Sequence, residues 1–225
     1  MTTTGTPQYE PFLDAYQRKT IAAAMERIIP TGATPGAREA GTIEYLDRYL
    51  SGIGFIYALP DGSGFEVLRG KQADAWSARV ESARQKYVVG VEQLDRVSRE
   101  RVGRPFNELT PEQQDGVLRF IERPEDQQQL ADEHLSITYG GPVEPALQQT
   151  LAESDLSFFS LLVAHTRQGF LSDPIYGGNR DRIGWQTIGF PGPDSLAEVH
   201  QARYSTLEYF AEDRNHPGEE QHNGS

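Results

Sequence analysis

Few side chains in this sequence could do chemistry, and their spacing excludes most reaction classes. The histidines stand at 134, 165, 200, 216 and 222, never at the spacing of metal ligands, so no metal site is expected. Cysteine is absent, which removes thiolate catalysis, disulfides, Cys-ligated zinc, iron–sulfur clusters and Cys-x-x-Cys-His haem attachment. His-Glu-x-x-His, Gly-x-Ser-x-Gly and Gly-x-x-x-x-Gly-Lys-Ser/Thr are absent too. What remains is one cluster: His165, Asp173, Arg180, Asp181 and Arg182, with Trp185 beside them. His165 lies on an apolar helix pattern, where an imidazole serves a structural hydrogen bond to a carbonyl or carboxylate. The alternative is a general base oriented by Asp173 or Asp181 beneath a closing loop. The alternating charges have two readings: internal Arg–Asp pairs that hold the loop shut, or a bidentate grip on a partner's carboxylate or a cofactor phosphate. Trp185 either caps the core or anchors an interface.

The segment that must position these groups is unusual in composition. Ser172–Pro193 contains five glycines and three prolines, which cannot continue as regular helix or central strand. Ile175, Tyr176, Ile183, Trp185, Ile188 and Phe190 are interleaved with them, and disordered segments are poor in such residues. The expectation is an ordered loop pinned by its own side chains. Gly177-Gly178-Asn179 permits a sharp reversal, and Phe190-Pro191-Gly192-Pro193 fits a type II turn. The glycines from 177 to 184 only superficially suggest a dinucleotide fingerprint, because they follow a helical pattern rather than a strand. Ordered loops of this length are usually functional.

The rest of the chain reads as helices. Asp14-Ala-Tyr-Gln17 has the form of a capping box, and Ile21, Ala24, Met25, Ile28 and Ile29 follow at helical spacing up to Pro30. Ile43, Leu46 and Leu50 line a short second helix. Phe55–Phe65 suggests a hairpin around Asp61-Gly62. Trp76, Val80, Ala83, Tyr87, Val91, Leu94 and Val97 predict one long helix over 71–101, bent at Gly90, with Trp76 and Tyr87 in the core. Thr110-Pro111-Glu112-Gln113 starts another, which buries Val117, Leu118, Phe120 and Ile121. Residues 122–150 read as loop with short helical pieces. Leu156, Phe158, Phe159, Leu161, Leu162 and Val163 mark a central buried helix ending at Gly169, and a looser pattern follows Pro193. The expectation is all-α: a single-domain helical bundle over 12–212, with a mobile arm over 1–11 and a disordered tail over 213–225.

With 21 basic against 33 acidic residues, the formal charge is −12. That argues against nucleic acid and against electrostatic attachment to an anionic membrane. No apolar run approaches a membrane span, and the first ten residues lack the charge and apolarity of a signal peptide. As it stands the sequence is expected to be cytoplasmic. The periplasm is the alternative, reached with an exported partner or by a signal since removed.

Asp173-Pro-Ile-Tyr-Gly-Gly-Asn-Arg180-Asp, with Gly184-Trp185 and Ile188-Gly-Phe-Pro-Gly192, resembles the signature of the gluconate 2-dehydrogenase subunit 3 family. Ile28-Ile-Pro30 and Thr34-Pro-Gly-Ala-Arg-Glu-Ala-Gly41 fit the same family. The resemblance implies a small, non-catalytic subunit without a cofactor of its own. Its partner would be a large FAD-dependent dehydrogenase subunit of the glucose–methanol–choline type acting on sugars or polyols, which often passes electrons to a multihaem cytochrome. The small subunit would support folding and maturation of the flavoprotein. On this resemblance Asp173, Tyr176, Asn179, Arg180, Trp185 and Phe190 are the expected partner-binding residues. Many members begin with a twin-arginine export signal, which the N-terminus here does not show.

Overall fold

Two side chains start two of the helices as their spacing predicts. In a computed structural model describing residues 9–123, 126, 153, 155–194 and 196–204, helix α1 spans Ala15–Ile28. The Asp14 carboxylate accepts from Gln17 N at 2.8 Å, and the Gln17 side chain accepts from Asp14 N at 3.1 Å. Thr110 and Gln113 make the same reciprocal cap for α4, Pro111–Ile121. Each pair satisfies amide protons that a helix N-terminus leaves without partners.

Between them lie α2, Thr42–Ser51, and α3, Gly70–Val102. The 33 residues of α3 make a rod about 50 Å long, and its burial begins only at Val80. The first turns therefore project past the core. Trp76, expected inside, is half-buried there, edge-on to Tyr57 and covered by the Arg79 guanidinium. Tyr87, two turns into the buried part, is fully enclosed. Phe120 likewise leaves the expected core face of α4: it is 59% exposed and lies under the Arg101 guanidinium. The expected hairpin reduces to one antiparallel bridge, Ala58 with Phe65, flanked by the bonds Leu59 N to Gly64 O and Glu66 N to Tyr57 O.

Helix α5, Phe158–Leu171, is the central element. Ser157 caps it, and Leu161, Leu162, Val163 and Ala164 are buried in succession, as an all-round apolar pattern requires. Helix α2 lies along it, and α1 and α3 also pack on it. The helix runs two residues past Gly169, where the pattern had suggested its end. The segment after it is more helical than its composition suggests: single 3-10 turns at Pro174–Tyr176 and Arg180–Arg182 lead into α6, Ile183–Thr187, and α7 follows at Leu196–His200. The fold is all-α, with no strand among the described residues. No described helix is long and apolar enough to cross a membrane. Within the expected N-terminal arm, Tyr9 packs edge-on to Phe55. The expected structure of residues 1–8, 127–150 and 205–225 lies outside the described residues.

Candidate functional site

The last carbonyls of a helix need partners from outside it, and the 172–194 segment supplies them to α5. Asn179 N donates to Gly169 O at 2.8 Å, the Asn179 amide donates to Ser172 O at 2.9 Å, and Trp185 Nε1 donates to Leu171 O at 2.7 Å. Asn179 Oδ1 in turn accepts from Gly184 N at 2.8 Å. The chain comes so close that side chains are excluded at two positions. A Cβ on Gly178 would lie 2.1 Å from Gly169 O, and one on Gly184 would lie 1.8 Å from Phe170 O. The segment is thus a folded-back terminus of the central helix, held by backbone contact.

Its geometry carries strain. Asn179, Asp181 and Arg182 all have positive φ, at 47°, 54° and 59°. Asn and Asp tolerate that region, but an arginine there is costly, and such strain is retained where surrounding contacts determine it. The contacts here include a second turn, remote in sequence. Arg180 N donates to Ala40 O at 2.9 Å, and the Arg180 guanidinium lies over Gly41. That turn is itself tied by carboxylates: Glu26 accepts from the amides of Thr31 and Arg38, and Glu39 from the Thr31 hydroxyl and Gly36 N. Arg48 of α2 completes the support by donating to Ile175 O at 3.0 Å, with Phe55, Tyr9 and Phe65 around its guanidinium.

The residues singled out from the sequence divide by location. Asn179 (0% exposed) and Trp185 (6% exposed) are interior and hold the segment together. Asp173 caps the Pro174–Tyr176 turn by accepting from Ile175 N. The Tyr176 hydroxyl accepts from Ala58 N, and its ring meets Phe65 edge-on. Phe190 is half-buried, edge-on to Trp185. Arg180 is exposed. The Arg–Asp pairing expected among Asp173, Arg180, Asp181 and Arg182 is not what closes the loop, since Arg182 pairs with Asp194 at 2.8 Å. Near Trp185, Leu171 and Ile188 are 41% and 54% exposed.

His165 on α5 is fully enclosed among Tyr45 and Tyr49 of α2 and Tyr87 of α3, and its surroundings are those of a structural imidazole. Its Nδ1 lies 3.0 Å from the Tyr87 hydroxyl and its Nε2 faces Glu153 at 4.0 Å. The tautomer protonated on Nε2 suits that carboxylate, and Tyr87 Oη then donates to Nδ1. Burial lowers the His165 pKa to about 4, against the attraction of Glu153. Glu153 forms a buried ion pair with Arg79 and accepts from the Tyr49 hydroxyl. Burial raises the pKa of this carboxylate, but His165 and Arg79 outweigh it, so Glu153 titrates below the usual range. Neither Asp173 nor Asp181 is the carboxylate at the imidazole. Glu153 and Arg79 escaped the sequence reading because their partners are 74 residues apart. No group of three His, Asp or Glu side chains among the described residues could hold a metal ion.

The family model described as gluconate 2-dehydrogenase subunit 3 matches residues 15–192, from the first residue of α1 into the turn that closes the folded-back segment. Neither the curated proteins nor the solved structures yield a match.

Proposed function

This chain belongs to the gluconate 2-dehydrogenase subunit 3 family, and from that premise we propose that it is the non-catalytic small subunit of an FAD-dependent sugar or polyol dehydrogenase. It binds the flavoprotein subunit through the surface of the 172–194 segment and the adjoining 31–41 turn, and so supports that subunit's folding. The flavin and the oxidation reside in the partner, from which a cytochrome takes the electrons.

The observation that supports this reading is the joining of two stretches some 140 residues apart, Thr34–Gly41 and Asp173–Gly192, through Arg180 N and Ala40 O. Strain, backbone contact and a buried Trp185 produce a rigid exposed surface, and rigidity lowers the entropic cost of docking. Nothing comparable prepares His165 for proton transfer, since it has no exposed surface and its Nδ1 is engaged by Tyr87.

The test is co-expression of a tagged form of the chain with the flavoprotein subunit, followed by affinity capture and an absorbance spectrum. Capture of a yellow complex whose flavin resides in the larger band is the expected result. Recovery of a colourless single species, beside a flavoprotein that is soluble and active without it, would contradict the proposal.

A further inference from the structure

The seam between the 31–41 turn and the folded-back segment presents two exposed arginines, Arg38 and Arg180, in a chain that is acidic overall. The protein as a whole carries −12, yet the carboxylates along this edge are committed internally. Glu26 and Glu39 hold the turn, Asp173 caps Ile175, and Asp194 pairs with Arg182. The guanidiniums are not so committed. Arg180 and Arg167 are exposed and have no ion pair among the described residues. Arg38 is 73% exposed and reaches Glu26 only at 3.7 Å. Asp181 is the one exposed carboxylate beside them left without an ion pair among the described residues.

Arg180 is also positioned as a loose surface arginine is not. Its amide is fixed to Ala40 O, and its Nη2 lies 3.0 Å from where a Cβ on Gly41 would stand. Gly41, at φ 67°, thus leaves the guanidinium a flat bed while its outer edge stays open. The segment that carries Arg180 also exposes Ile188, the Leu171 carbonyl accepts from Trp185 Nε1 with its side chain exposed, and Arg167 stands one helical turn before Leu171 on α5. An apolar centre bordered by charge is the usual form of a specific interface. A planar guanidinium held in place, with no counter-ion among the described residues, is matched best by a carboxylate bound through two hydrogen bonds.

Given the subunit reading above, on which this inference rests, we propose that Arg180, with Arg38 near it on the 31–41 turn, pairs with carboxylates on the flavoprotein subunit while Leu171 and Ile188 cover an apolar area of the same partner. The partner's matching face is therefore apolar with an acidic border, and the pairing sets both the docking register and the encounter rate.

The test measures binding of the purified chain to the flavoprotein subunit at low and high salt, for the wild type and three variants. Wild-type binding weakens as salt rises, through the association rate. Arg180→Glu weakens binding at least about tenfold, and Arg180→Lys falls between it and wild type because the planar fork is lost while the charge remains. Arg119→Glu, the same change of charge on α4, which packs on α1 and α3, stays within about twofold. Circular dichroism and melting of each variant report whether the fold is intact. The Arg180→Lys and salt series stand even if the reversal disturbs the fold. A wild-type complex that forms but responds to neither salt nor Arg180→Glu would overturn the carboxylate pairing and leave the subunit reading in place. Absence of any wild-type complex would overturn both.

Discussion

Two regions of this protein have nearly the same composition and opposite physics. The 52–67 excursion and the 172–194 segment are both rich in glycine and aromatic residues. In the excursion, Gly52, Gly54, Gly62 and Gly64 have open space where a Cβ would be. In the folded-back segment, Gly177, Gly178, Gly184 and Gly192 each have a neighbour within 2.6 Å of that point. The first set leaves its space open; the second permits contact, with Gly177 and Gly192 also at positive φ, and Gly189 is the segment's exception, with nothing within 4 Å. Ring contacts follow the same division, since Phe55, Phe65 and Tyr57 meet other rings at the surface, whereas Trp185 is buried and bonded to a helix carbonyl. Composition alone thus does not separate glycines that leave space open from glycines that permit close approach; what a Cβ would strike does.

The sharpest way to test this contrast is to add one methyl group in each region. Gly184→Ala puts a Cβ 1.8 Å from Phe170 O, a backbone atom that no rotamer change can move. The segment must detach, losing Trp185 burial and its hydrogen bonds, for about 4 kcal/mol in urea unfolding.

Acid should destabilise the fold through its buried histidine. The His165 pKa falls from 6.5 to about 4 on folding. Between those values the unfolded chain binds a proton that the buried imidazole does not, so stability rises with pH across the window and is lost as pH falls. The shift corresponds to about 3 kcal/mol. Glu153, whose folded pKa is lowered, adds to the loss as pH falls through its own range. Unfolding of a Trp76→Phe protein, read by the remaining Trp185, should lose that stability between pH 7 and pH 4.5, and addition of His165→Gln should flatten the dependence.

Asn179→Ala removes a hub at 0% exposure and leaves Ser172 O and Gly184 N without side-chain partners. About 2 kcal/mol is expected, seen as a lower denaturation midpoint. The smallest effect belongs to the excursion: Gly54→Ala meets nothing and should shift stability by no more than about 0.5 kcal/mol. A Gly54→Ala loss as large as that of Gly184→Ala would abolish the distinction between the two regions.

Much of the helical scaffold was legible because its signals are local. Asp14 with Gln17 and Thr110 with Gln113 declare helix starts within four residues, and the period of Val80 to Val97 declares α3. Trp76 and Phe120 broke the pattern because periodicity assigns a side to a residue without saying where the neighbouring helix ends. That Ser172–Pro193 would be ordered was legible from its residue types, but not the division of labour within it. Asn179 and Trp185 turn inward because the chain doubles back onto α5, a tertiary event with no local signature. Glu153 was invisible for the same reason: a glutamate in a polar stretch reads as surface until Arg79, Tyr49 and His165 converge on it.

The most direct measurement of the central claim is amide hydrogen exchange of this chain alone and in complex with the flavoprotein subunit. The account predicts new protection at residues 186–190 and along 31–41, on the two stretches that the Arg180 N to Ala40 O bond ties together, and little change in α4. Protection confined to the 52–67 excursion or to the exposed face of α3, with 186–190 exchanging as in the free chain, would contradict it.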